Sequence, residues 1–283
     1  LDSVVRRTGV LGALLLSAAV ATAAPPRLVA LAPHLTELVY AAGAGEQLVG
    51  VVEYSDYPAA ARALPRIGDS YRVDYEALRR LDPDIVLAWE SGNPPEIVSR
   101  LRELGFRVIA FETRSLETVA DDLEAIGDLA QTRPHAARAA AEYRARLARL
   151  RAEYRDSERL SVFYQISADP YFTVNGEHVI SRILELCGGD NVFAAVPGLA
   201  PPVTLEAVIA ANPQVVLSGT PGPDWRESWR AWPAVSAVAT NTLYAVNADW
   251  LARPGPRLLD GALQVCAVLA EAREAYAAVS APP

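Results

Sequence analysis

Residues 73–89, VDYEALRRLDPDIVLAW, and residues 203–219, VTLEAVIAANPQVVLSG, are two copies of one pattern. Val73/Val203, Glu76/Glu206, Ala77/Ala207, Pro83/Pro213, Val86/Val216 and Leu87/Leu217 are identical, and Asp82/Asn212 and Ile85/Val215 are similar. Each copy reads as a short helix, a turn containing Pro and a buried apolar strand. The proline ends the helix because it has no N–H to donate and its ring clashes with the preceding turn. Two copies set far apart predict two similar α/β lobes; a solenoid would need more copies.

The rest of the chain fits that frame. Strand patterns at 28–31, 48–52, 84–88 and 107–111 alternate with helical patterns in the first half, as do those at 160–166, 214–218 and 243–246 in the second. Such alternation predicts an α/β fold with central, mostly parallel sheets covered by helices. Ser115 is placed to cap a helix whose apolar stripe is Leu116, Val119, Leu123, Ile126 and Ala130. Pro134 then opens a second helix with the stripe Ala140, Tyr143, Leu147, Leu150 and Tyr154, about 34 Å long at 1.5 Å per residue. The expected organisation is an N-terminal lobe over 24–132, one long backbone helix over 133–157 and a C-terminal lobe over 158–283. A helix of that length makes a stiff spine and argues against a wide hinge. Its arginines (Arg138, Arg144, Arg146, Arg149, Arg151, Arg155, with Arg159 beyond) read as a solvated face with acidic partners.

Composition removes whole classes of function. The formal net charge is −8, which disfavours a nucleic-acid partner. All 26 basic residues are Arg, so Schiff-base chemistry and a P-loop lysine are absent. No G-x-S-x-G, H-E-x-x-H or dinucleotide fingerprint occurs, and no spacing marks a triad. The expectation is therefore a chain with no catalytic residues, no metal site and no cofactor. Residues 1–23 carry Arg6-Arg7, an apolar run from Val10 to Val20 and Ala21-Thr22-Ala23, the layout of a cleavable signal peptide. The run is about half of what a bilayer span needs, and Sec export fits it better than the twin-Arg route. Export makes the two cysteines, Cys187 and Cys266, readable as a disulfide. It would close a loop of about 80 residues, worth up to about 4.5 kcal/mol in the chain-entropy model. Two buried free thiols are the alternative.

In open parallel sheets, ligands bind beyond the carboxyl ends of the strands. That rule selects Pro33-His34, Tyr54–Pro58, Trp89, Asp169–Phe172, Gly219–Trp225 and Asp249-Trp250 with Arg253. These segments are rich in aromatics in a chain that has few, and an aromatic cleft suits a large, flat, partly apolar ligand. Asp249 and Arg253, four apart, read equally as an ion pair on a helix. His34 is expected to face solvent or cap a helix, and His135 and His178 are expected at the surface.

The segments ALAPHLTELVYAAG (30–43), VGVVEYSDYP (49–58), LDPDIVLAW (81–89), LELCGGDNVF (184–193) and ADWLARPGPR (248–257) resemble the periplasmic cobalamin (vitamin B12)-binding proteins of ABC importers. These are class III substrate-binding proteins, two α/β lobes on a helical backbone, and the resemblance spans about Arg27 to Tyr276. It implies a corrinoid as transported ligand, gripped between the lobes by Tyr54, Trp89, Phe172, Asp249 and Arg253, with Pro33 beneath. It implies the disulfide Cys187–Cys266. It also implies that Glu76 and Glu206, equivalent in the repeat, dock a periplasmic monomer onto the transmembrane permease dimer of the importer. Two departures stand out. Leu199-Ala200-Pro201-Pro202 replaces one tryptophan of the close relatives and Ser70-Tyr71 another, with Tyr71 a candidate substitute; Trp225, Trp229 and Trp232 either compensate or simply pack. A haem or iron-siderophore receptor on the same scaffold is the alternative, with Tyr54, Tyr57, Tyr71 or His34 as axial ligand.

Overall fold

The computed structural model describes residues 24–219, Gly222 and residues 225–280. The signal-peptide reading at 1–23 lies outside them. Among the described residues, strands β1 (Leu28–Ala30), β2 (Leu48–Val51), β3 (Ile85–Trp89) and β4 (Val108–Phe111) form one four-stranded sheet, in the order β2-β1-β3-β4. Next come β5 (Leu160–Gln165) and a short antiparallel hairpin of β6 (Ser167–Ala168) and β7 (Tyr171–Phe172). Then β8 (Gly189–Asn191), β9 (Val215–Ser218) and β10 (Leu243–Ala245) join β5 in a second four-stranded sheet, in the order β10-β9-β5-β8. Every pairing within the two main sheets is parallel. Taken in chain order within its sheet, each reads second-first-third-fourth, so the two lobes share one topology. Each strand expected from the sequence is present within one residue at either end. The strand β8 is an addition: Gly188-Gly189 reads as a helix stop, and only Gly188, at φ 77°, serves as one.

Helices connect the strands: α1 (Pro33–Ala41), α2 (Tyr75–Leu81), α3 (Pro95–Glu103), α4 (Thr118–Leu129), α5 (Arg133–Tyr154), α6 (Val179–Leu186), α7 (Leu205–Ala211), α8 (Trp225–Arg230), α9 (Ser236–Ala239), α10 (Ala248–Ala252) and α11 (Leu258–Ser280). The repeat is α2–β3 and α7–β9. The Asp74 carboxylate caps α2, accepting from the N–H groups of Glu76 and Ala77, and Thr204 caps α7, accepting from Ala207. Both helices end in a left-handed residue, Asp82 (φ 45°, ψ 62°) and Asn212 (φ 45°, ψ 60°). Asp and Asn are the non-glycine residues that enter this region most readily. The repeated Asp/Asn-Pro is therefore the stop that aims each chain into its strand. Ser115 stands three residues ahead of α4, its hydroxyl accepting from Thr118 N–H at 3.2 Å.

One contiguous apolar cluster runs from Leu28 and Leu35, through Leu123 on α4 and Tyr143, Leu147 and Leu150 on α5, to Leu160, Leu184, Leu217 and Leu259. It joins the lobes without a polar break. The arginine face of α5 is paired mainly from neighbouring elements: Arg144 with Asp121 (2.7 Å) and Glu124 (2.6 Å), Arg146 with Asp260 (2.6 Å), and Arg151 with Glu117. Such exposed pairs contribute about 0.2–1 kcal/mol each, so burial rather than charge fixes the spine. Cys187, at the end of α6, and Cys266, in α11, are buried and form a disulfide, stapling the last helix to the second lobe.

Candidate ligand-binding cleft

Residues at or just beyond the carboxyl ends of strands in both lobes meet at one cleft. There they enclose a cavity of about 210 Å³. The first lobe contributes Trp89 from the end of β3 and Glu112, Thr113 and Arg114 from the end of β4. The second contributes Tyr164 from β5, His178, Val179 and Ile180 from the start of α6, Leu199, Gly219 after β9, and Ala248 and Ala252 from α10.

Trp89 is held from three sides. Its ring meets His34 edge-on, with centroids 5.0 Å apart and planes at 85°. A Cβ at Gly92 would overlap the indole, so the ring lies directly over glycine backbone. The Trp89 N–H donates to Oδ1 of buried Asn93 at 2.7 Å, while Asn93 Nδ2 donates to the carbonyls of Leu31 (3.1 Å) and Ser70 (3.0 Å). One amide thus ties the ends of β1 and β3 to the loop that carries Tyr71. The expectation of a solvent-facing or capping His34 is corrected: its ring is buried under Trp89. Burial, reinforced by the Arg253 charge, lowers its pKa to about 3, so it is a neutral support. The reason is α1 itself, which buries His34 through Val39 without interruption.

The other sequence-selected residues take different places. Tyr54, at φ 64°, and Tyr71 are 75% and 71% exposed, Tyr57 is exposed too, and none of the three lines the enclosed cavity. Pro33, in the first turn of α1, and Phe172, on β7, are half-buried and do not line the cavity. Leu199 does line it, and the backbone beside it pairs with β7 through Val203 N–H to Tyr171 O (3.0 Å) and Thr173 N–H to Pro201 O (3.1 Å). Trp225 and Trp229 pack in the second lobe. Trp229 Nε1 donates to Gln165 Oε1 at 3.0 Å, and its ring meets Phe163 and Tyr171. Neither they nor the half-exposed Trp232 reach the cavity, so they supply packing and no replacement wall. His135 is exposed, as expected, whereas His178 is not a surface residue: it caps α6 and lines the cavity.

Asp249 and Arg253 belong to a charge network between the lobes. Arg253 bonds Asp56 at 2.6 Å and Asp249 at 3.0 Å and lies 3.7 Å from Glu37. Arg257 bonds Glu37 through two hydrogen bonds, at 2.8 and 2.5 Å, and its guanidinium lies 4.0 Å from the centre of the Tyr57 ring. Burial is the largest single influence on Asp56 and opposes its ionisation, but the hydrogen bond and charge of Arg253, with a backbone hydrogen bond and the Arg62 charge, together outweigh it and hold the carboxyl below its ordinary value. Arg253 is therefore committed to three carboxylates, and Asp249, which is exposed, is the more available of the two.

Behind the wall, the Thr113 hydroxyl donates to buried Asp122 at 2.7 Å. Burial outweighs that bond and pushes Asp122 up from 3.8 to about 6. A carboxyl whose folded value is raised stabilises fully below its unfolded value, and that contribution is lost as pH rises through about 6. Asp122→Asn keeps an acceptor for Thr113 and removes the charge. It should raise the melting temperature at pH 8, by up to about 3 kcal/mol in stability, and change little at pH 4. A gain independent of pH in thermal denaturation would contradict this.

Residues 28–249 match the periplasmic binding protein family, and the chain belongs to it. It is 41% identical over 244 residues to the vitamin B12-binding protein of Vibrio cholerae (classical Ogawa 395), covering 86% of this chain and 88% of that protein. The crystal structure of the periplasmic vitamin B12-binding protein of Vibrio cholerae superposes with a TM-score of 0.83 at 40% identity, covering 88% of this chain and 98% of that one. A periplasmic heme-binding protein from Roseiflexus sp. RS-1 shares the fold, with a TM-score of 0.76 at 24% identity over 88% of this chain and 99% of that one. The fold is thus the class III type, two α/β lobes on a helical spine.

Proposed function

We propose that the chain captures cobalamin or a related corrinoid in the periplasm and delivers it to an inner-membrane ABC importer, making and breaking no bond. Export by a cleaved signal peptide through the Sec route belongs to the same reading. Its main support is the apolar cleft between the lobes, with Trp89 on one side and Tyr164 and Leu199 on the other, in a chain 41% identical to a vitamin B12-binding protein. The enclosed 210 Å³ is below the range of about 300–1,000 Å³ for drug-sized pockets. A macrocycle would fill it with one edge and lie with the rest against the exposed tyrosines Tyr54, Tyr57 and Tyr71. Phe172 and Pro33 would border the same opening, and Asp249 would meet polar side groups. Haem fits less well: Tyr54, Tyr57 and Tyr71 do not line the enclosed cavity, and His34 is buried against Trp89.

Glu76 and Glu206 are proposed as the docking acids. Each is exposed in the first turn of its helix, α2 or α7. Each helix runs back from the cleft end of its lobe before the following parallel strand returns, so both acids stand on the cleft-bearing side.

The test is calorimetry on the mature protein. Cyanocobalamin should bind with submicromolar affinity and be displaced by cobinamide, and Trp89→Ala should weaken binding about tenfold or more through lost aromatic burial. No heat with cyanocobalamin, together with a Soret shift on adding haem, would move the assignment to the haem class. Unchanged affinity in Trp89→Ala would remove Trp89 from the contact surface.

A further inference from the structure

His178 has an arrangement that its structural task does not explain. It is the N-cap of α6, and its Nδ1 accepts a hydrogen bond from Ile180 N–H at 3.2 Å. Ser, Thr, Asp and Asn are the residues preferred for that task, and each performs it with a smaller side chain. What histidine adds is a second nitrogen. With the Nδ1 lone pair on the helix, the neutral ring carries its proton on Nε2. That nitrogen has no hydrogen-bond partner among the described residues. His178 lines the cavity, on the lobe opposite Trp89, among Ile166, Val179, Ile180 and Leu199. Burial lowers its pKa to about 4, so the ring stays neutral through the physiological range.

We propose that His178 is a ligand-contacting residue of the cleft, donating its Nε2–H to an oxygen acceptor on the bound corrinoid. The proposal rests on the corrinoid reading of the cleft and adds a specificity element to it. An apolar group placed against this N–H would bury a donor without a partner, which disfavours binding, whereas an amide carbonyl or phosphate oxygen satisfies it. Both acceptors occur in cobalamin, the carbonyls on the corrin rim and the phosphate in the nucleotide loop. The same tautomer excludes the ring as a metal ligand, because the Nε2 lone pair is used by the proton.

His178→Ser tests this without disturbing the cap, since Ser accepts from the helix N–H as well as His does. The expected result is a Kd for cyanocobalamin raised about tenfold with no fall in melting temperature. His178→Asn, another strong cap, repeats the measurement if the Ser variant folds poorly. An equal loss with cobinamide, which lacks the nucleotide phosphate, assigns the acceptor to a corrin amide; a loss confined to cyanocobalamin assigns it to the phosphate. Wild-type protein that binds no corrinoid overturns the cleft reading and this proposal together. Wild-type protein that binds, with a His178→Ser variant of equal affinity, overturns the proposal alone. So does a visible spectral shift of bound aquacobalamin that disappears in the variant, because it would mean coordination rather than hydrogen bonding.

Discussion

Reversing Glu76 and Glu206 together to Arg is expected to abolish corrinoid uptake while leaving the affinity for free ligand unchanged. Both acids lie in the first turn of a capped helix, are exposed and make no ion pair among the described residues. Their loss costs the protein only the favourable placement of an acid near a helix N-terminus, about 0.3–1 kcal/mol each, too little to unfold it. The effect on docking is of another size. On the docking proposal, the two lobes of one topology offer these carboxylates as equivalent positions, which a twofold permease dimer would meet with one pair of equivalent basic sites. Reversal turns two attractions into two repulsions at the same interface, and like-charge juxtaposition there costs several kcal/mol. The measurement is uptake of labelled cyanocobalamin by cells or proteoliposomes containing the cognate importer, beside calorimetry on the purified variant. Single reversals should give intermediate uptake. Normal uptake by the double variant would remove the docking role. A parallel fall in ligand affinity would place the two acids at the cleft instead.

The two-lobed α/β architecture was legible because its signals are local. Apolar strand runs, the Asp/Asn-Pro stop and the helical stripe of α5 each occupy one stretch of chain, and each is found where the pattern places it. What was not legible depends on neighbours remote in sequence. The strand β8, Gly-Asp-Asn, has no β-propensity; it is a strand because the edge of β5 offers a parallel ladder at Leu160–Val162. Periodicity puts His178 on a surface, yet its place at the very start of α6 turns it into the cleft. Asn93 sits in a Gly-Asn-Pro-Pro stretch that reads only as a turn, and its three hydrogen bonds reach β1, β3 and the loop at Ser70. Trp89 follows from a topological rule that concerns strand ends, and for that reason it falls within the cavity wall. The same rule picks out Tyr54 and Tyr57, but it does not tell an enclosed strand end from an open one.

Arg257→Ala should be the most destabilising of the charge changes considered. The Glu37 side chain is 1% exposed and takes both of its hydrogen bonds from Arg257. Arg253, 3.7 Å away, is already engaged by Asp56 and Asp249. Removing one partner of a buried pair typically costs about 3–5 kcal/mol, because it strands the other charge. For a chain of this size that is a fall of roughly 6–20 °C in melting temperature. The pH dependence separates this cause from simple loss of packing. Burial already raises the Glu37 carboxyl above 4.5, against the pull of Arg257 and Arg253, and without Arg257 it must rise further. A raised folded value means that stability is present below the unfolded value and is lost as pH rises through the folded one. The deficit of the variant should therefore shrink toward acid pH, where the raised Glu37 carboxyl is protonated, and grow as pH rises and the carboxyl ionises. Adding Glu37→Gln to Arg257→Ala removes the stranded charge and should recover much of the loss at pH 8. A deficit that does not change with pH, and that the second substitution leaves untouched, would mean that the arginine acts through its stacking on Tyr57 and its packing against α1. The network at the lobe junction would then be held by contact area rather than by charge.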